Sequence, residues 1–348
     1  GTDLTFSMTV PSAALTVTGD EGTDSLEISF ANVSPIPLGG VIFQGGTQAV
    51  GARDTLIVSG DTASNVLHSV SNTTDGFVSI NGATLIGYTG VETLDDELTV
   101  NSRGVQFPDV ADIVTLSDDD TAANGRSKLT YGTREFFFTN SVEIAATDTT
   151  EAVVGSLTIN GGKGDDSLSA TGLDSTFPED ANLFIQGELG NDSIDTSAAS
   201  RAFLMFGGDG SDFITGNGSD ESIPMDAGND TIVGSGGTDR IVAQNLKGIV
   251  TLNDTLLSGL GVDSLSGIEQ AHLMAGATAV KLDASSFSGV VTLTGGAGKD
   301  SLVGTANADV LEGGAANDTI NAGGGNDTIT GGAGTDSLDG GAGTDLLT

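Results

Sequence analysis

From Gly295 to Thr348 the chain is one nine-residue unit repeated without insertion: GGAGKDSLV, GTANADVLE, GGAANDTIN, AGGGNDTIT, GGAGTDSLD, GGAGTDLLT. An acid fills the sixth place of every copy, at Asp300, Asp309, Asp318, Asp327, Asp336 and Asp345. Leu or Ile fills the eighth, at Leu302, Leu311, Ile320, Ile329, Leu338 and Leu347. A fixed period constrains the fold strongly, because one short unit cannot bury its apolar face alone and must stack on its neighbours. A second block starts at Gly207, with Asp212, Glu221, Asp230 and Asp239 in the sixth places. Two isolated copies precede it, GGKGDDSLS from Gly161 and GELGNDSID from Gly187, carrying Asp166 and Asp192. The acid and the aliphatic residue hold their places in every copy.

The spacing predicts the geometry. Glycines at places one, two and four, such as Gly207, Gly295, Gly298, Gly313, Gly331 and Gly340, permit backbone conformations closed to other residues and let the turn crowd around an ion. Places seven to nine read as a short strand with its middle side chain inward. One unit is then half a coil, and two units make a coil that stacks on the next at about 4.8 Å. Asp300, Asp318 and Asp336 should stack along one edge and Asp309, Asp327 and Asp345 along the other. Asp212 should pair with Asp230, and Glu221 with Asp239. Carboxylates about 5 Å apart repel by roughly 1 kcal/mol per pair in water and by more in a less polar setting. A hard cation reverses that sign. Calcium takes six to eight oxygens in flexible geometry and suits such turns; magnesium, with its tighter octahedron, should substitute poorly.

These segments resemble the repeats-in-toxin (hemolysin-type) calcium-binding nonapeptide repeat, G-G-x-G-x-D-x-U-x. The resemblance implies an all-β parallel β-roll or β-solenoid with several Ca2+ ions in its Gly-Asp turns. The implied ligands are the twelve sixth-place acids above, together with the carbonyls of the Gly-rich turns. Some copies depart from the pattern. Asn307 and Ala316 replace the fourth-place Gly, and Ala adopts positive φ poorly. Glu221 reaches further than Asp, and Pro224 cannot donate a ladder hydrogen bond.

A longer unit also recurs: an acid opening a β-rich run, a variable stretch, then a corner with Glu. It runs from Asp54 to Glu92, from Asp112 to Glu143 and from Asp239 to Glu269. This resembles large bacterial surface-layer and adhesin-type proteins in which nonapeptide blocks alternate with strands. Residues 1–150 read as a β-rich region, either an irregular start to the solenoid or a β-sandwich, with one degenerate nonapeptide, GDEGTDSLE, at Gly19. Residues 151–242 read as a first β-roll, 243–294 as intervening strands and 295–348 as a second β-roll. QAHLMAGATAVKLDASSF, the nearest thing to a helix, carries Gly, Thr and β-branched residues that favour strands.

A formal charge of −37 argues against nucleic acid and anionic membrane surfaces as partners and for cations. No apolar run approaches the roughly 18 residues of a membrane helix. Without cysteine there are no disulfides, so an extracellular chain needs another staple. The start at Gly1 and an array that runs up to Thr348 read as a piece of a longer parent. The only histidines are His68, read in a β-rich loop, and His272; two are too few for the usual zinc site or a triad with a positioned base. Tyr88 and Tyr131 are expected to pack beside the Glu corners. The expectation is a non-enzymatic, secreted, calcium-stiffened protein of a cell surface that self-associates or binds surface neighbours. The alternative is the calcium-binding accessory region of a secreted enzyme or toxin.

Overall fold

The computed structural model describes residues 15–19, 23–29, 41–46, 53–59, 62–72, 74–81, 83–108, 110–119, 126–132, 134–139, 156–173, 177 and 182–348. Every regular element among them is a β-strand, as the scarcity of helix-period patterning requires. Two units divide the chain, residues 1–187 and 188–348.

In the second unit the repeats form parallel rungs. Ser301–Val303 pairs with Thr319–Asn321, and that strand with Ser337–Asp339. Val310–Ala315 pairs with Thr328–Ala333, and that strand with Leu346–Leu347. Leu302 lies opposite Ile320 and Leu311 opposite Ile329, so each rung sits one eighteen-residue coil from the next. The aliphatic ladders follow from this register. Ile194, Ile214, Ile223, Ile232, Ile241, Leu302, Leu311, Ile320 and Ile329 are buried. Leu338 is half-buried and Leu347 exposed. Gln270–Ser286 is one long strand, paired in parallel with Arg240–Asn253.

The first unit follows the same logic with longer connections. Parallel pairs join Leu15–Thr18 to Val41–Gln44, Ser25–Ser29 to Thr55–Ser59, and Thr55–Ser59 to Thr93–Asp96. Thr62–Val70 pairs in parallel with Thr99–Gln106, which pairs in turn with Ser156–Lys163. Antiparallel hairpins interrupt these rungs. One runs through Thr62–Val70, Gly76–Ile80 and Ala83–Thr89; another runs through Ile113–Asp118, Arg126–Tyr131 and Arg134–Thr139. The parallel rungs make the described part of residues 1–150 a solenoid rather than a sandwich of facing antiparallel sheets. The variable stretch of the longer sequence unit is the hairpin.

His68 lies inside the strand Thr62–Val70, not in a loop, with its side chain buried. Its Nε2 is 2.9 Å from Asp96 Oδ2, and Arg103 Nε donates to the same oxygen at 2.9 Å. Tyr88 and Tyr131 are buried, and Tyr131 donates its hydroxyl to Asp112 Oδ1 at 2.7 Å. The corner at Glu143 lies outside the described residues.

Candidate metal centre

The sixth-place acids form ladders along the coils. Asp318 Oδ1 accepts the backbone N–H of Asp300 at 2.8 Å, and Asp336 Oδ1 accepts that of Asp318 at 3.0 Å. On the opposite edge Asp327 caps Asp309 at 2.9 Å and Asp345 caps Asp327 at 3.1 Å. In the block from Gly207 and the copy just before it, Asp212 caps Asp192, Asp230 caps Asp212, and Asp239 caps Glu221. The stacking order predicted from the period is the observed one. The acids do more than stack, because the carboxylates of Asp212, Asp230, Asp239, Asp318, Asp327, Asp336 and Asp345 each satisfy a backbone donor one coil back.

The ladder extends through residues outside the nonapeptides. Asp54 caps Asp24, Glu92 caps Asp54, and Glu269 caps Asp239. Asp166 caps Asp112, and Asp263 caps Asp230. The chain between capped and capping residue runs 18, 20, 30, 33, 38 or 54 residues. A hairpin inserted in a coil lengthens it without moving the rung. The recurring acid-to-Glu unit signalled Glu92 and Glu269. No local pattern signalled Asp263, whose sequence context, GVDSLSGIE, lacks the Gly-rich turn.

These carboxylates sit in the interior. Asp166, Asp192, Asp212, Glu221, Asp230, Asp239, Asp300, Asp309, Asp318 and Asp327 are no more than 3% exposed. Asp336 and Asp345 are half-buried. Burial pushes Asp212 up to about 7 and Asp263 up to about 6. It also raises Asp230, Asp300, Asp309 and Asp327. Burial raises both Glu221 and Asp239, whose carboxylates are neighbours.

The glycines divide into two kinds. Those at place two take positive φ, as at Gly296, Gly314, Gly323, Gly332 and Gly341. Even Glu188 and Ser235 take it at that place, with φ of 81° and 80°. At place four Gly325, Gly334 and Gly343 do likewise, and Ala316 is forced to φ 82°. Place one differs from the sequence expectation. Gly207, Gly295, Gly313, Gly331 and Gly340 are not in the left-handed region, so crowding is what selects them. A Cβ on Gly295 would stand 2.6 Å from Asp300 Oδ2 and 2.6 Å from the carbonyl oxygen of Gly313, one coil on. Gly207, Gly331 and Gly340 meet their own repeat's acid in the same way. Gly298 also lacks positive φ, and a Cβ there would strike the backbone of Ala279. Asn307 stays out of the left-handed region too, and its side chain donates to the carbonyls of Ser288 and Gly289.

The donor set fits calcium. Asp212, Asp263, Asp300, Asp318 and Asp327 each spend one oxygen on a backbone N–H. The second oxygen of Asp212, Asp263, Asp300, Asp318 and Asp327 is buried without a hydrogen-bond partner. Buried polar atoms left in that state are rare and call for a ligand. The place-one carbonyls, such as that of Gly313, lie beside the turn. Carboxylate and carbonyl oxygens with no nitrogen or sulfur are what a hard divalent cation takes. Two turns compensate differently. The Thr305 amide and hydroxyl both donate to Asp309 Oδ2, at 2.6 and 2.9 Å, and the Asn217 amide reaches Glu221 Oε2 at 3.3 Å.

No curated protein matches the chain. The family model of the RTX calcium-binding nonapeptide repeat, in four copies, matches residues 158–172, 204–223, 226–245, 294–329 and 312–347. All but the first, which holds the single copy of Asp166, are segments in which the ladder acids recur at nine-residue spacing. The chain thus carries RTX calcium-binding nonapeptide repeats, and Ca2+ is the ion that its stacked Gly-Asp turns take.

Proposed function

We propose that this chain is a secreted, non-catalytic structural component of a cell surface that calcium stiffens and that assembles with copies of itself. The observation that carries the reading is that in each unit acid caps are kept through coils of very different length, 38 and 54 residues in the first and 18 and 33 in the second. A ladder kept in register around inserted hairpins lets the surface of each unit vary without disturbing its metal-binding edge. Each buried acid is a cost in the metal-free state and an anchor in the loaded one. Rigidity is therefore tied to calcium, which suits a protein that becomes stiff only outside the cell. Lacking cysteine, the chain has ions in the role that disulfides serve in many exported proteins.

The test is a calcium titration of chelated protein, followed by circular dichroism and light scattering together. The expected outcome is a cooperative gain of β signal with calcium, little with magnesium, and growth in scattering at the same point. A folded, calcium-loaded chain that stays monomeric at high concentration would overturn the assembly reading in favour of an accessory region of a secreted enzyme or toxin.

A further inference from the structure

Asp226 occupies the second place of the repeat that starts at Met225, where seven of the twelve copies carry Gly. The one other acid at that place, Glu188, is exposed. Asp226 is half-buried and avoids the positive φ of its counterparts. It turns its carboxylate into the coil stack, where Oδ2 accepts the N–H of Gly208 at 2.8 Å. That brings it to the ladder pair Asp212 and Asp230. One carboxylate oxygen from each of the three lies within 4.8 Å of the others. Two oxygens on one calcium, each at 2.3–2.6 Å, can be no more than about 5 Å apart, so the three can share an ion. Among the described residues this is the one group of three acids that meets the condition. A second observation points the same way: Asp212 is 2% exposed, and its Oδ2 has no hydrogen-bond partner in the chain.

We propose that Asp226 is an additional calcium ligand, absent from the ordinary repeat, and that it makes the Asp212–Asp226–Asp230 turn the tightest and first-filled calcium site of residues 188–348. The proposal rests on the calcium reading of the repeats and adds a hierarchy among the sites. Calcium affinity rises with the number of charged ligands and the rigidity of the site. Place two of the copies from Gly295 onward carries Gly or Thr, so those turns have no third carboxylate. The hydrogen bond from Gly208 holds Asp226 in position before the ion arrives. A first ion here would join the coils of Asp212 and Asp230 and leave the later sites to fill on a stack already formed.

The experiment uses the whole chain. Metal-free protein is titrated with calcium by calorimetry and in competition with a chromophoric chelator, alongside Asp226→Asn and Asp226→Gly. The Asn variant keeps the shape and the acceptor; the Gly variant restores the residue of most other copies, which protects folding. The expected result is one site per chain at least tenfold tighter than the rest in the parent protein. Both variants should lose that class and keep the weaker ones. A variant that folds in calcium yet retains the tight class overturns the proposal, as does a parent protein with a single uniform class. Either result leaves calcium binding by the repeats standing. No calcium uptake by the parent protein overturns both.

Discussion

The carboxylate of Asp318 faces two ways: Oδ1 accepts the amide of Asp300 one coil back at 2.8 Å, while Oδ2 is buried with no partner. One side chain thus closes a backbone contact between coils and offers an oxygen to an ion. The two roles separate by substitution. Asp318→Asn keeps an acceptor for Asp300 but removes the charge, so its fold in chelator should match or exceed that of the parent while its calcium response weakens. Asp318→Ala strands a buried amide, at a cost of about 1–3 kcal/mol, and should be the less stable variant with and without calcium. Urea melts in chelator and in calcium measure both.

Acidity should stabilise the metal-free form. Burial raises Asp212 to about 7 and Asp226 and Asp263 to about 6, against about 3.9 for an exposed Asp. A raised folded-state value means that the fold prefers the protonated acid. The associated stability is fully present below the unfolded value and is lost as pH rises through the folded ones. Chelated protein should therefore melt at higher temperature at about pH 5 than at about pH 8. Calcium competes with those protons, so its affinity should rise over the same interval. Melts with and without calcium at several pH values would reveal the opposite slopes.

The first unit holds one buried acid by a different device. Burial opposes ionisation of Asp96, but Arg103 and His68 outweigh it and hold the carboxyl well below the usual range. The guanidinium also donates to the carbonyl of Leu98 at 2.9 Å and covers the ring of Phe138. Arg103→Met leaves a buried charge without its cation and should cost about 3–5 kcal/mol. Asp96→Asn in the same chain should recover much of that loss. Calcium should not rescue either variant, since the cation here is the protein's own. Denaturant unfolding of the single and double variants in saturating calcium checks this.

Ala316 sits at φ 82° where three other copies in the same array place Gly in the left-handed region. Ala316→Gly removes that strain and should stabilise the loaded protein by about 1 kcal/mol, partly offset by the greater freedom of Gly in the unfolded chain. A higher melting temperature in calcium, with unchanged calcium stoichiometry, is the expected outcome.

Much of the site could be read from residue order alone. The nine-residue period dictated that Asp300 would meet Asp318, that Leu302 would lie over Ile320 and that the turns would be built for calcium, because a strict repeat makes sequence separation and spatial separation the same quantity. That identity fails wherever a hairpin is inserted. Asp263 meets Asp230 across 33 residues and Glu92 meets Asp54 across 38, distances set by where the inserted strands fold back. The reason for Gly at place one was likewise hidden, since the obstacle to a Cβ on Gly295 includes a carbonyl of the next coil. Local spacing determined the ladder and its ion. Only the stacking of coils decided which distant acids joined it, and which turn gathered three carboxylates, because those contacts lie between chain segments that no local preference brings together.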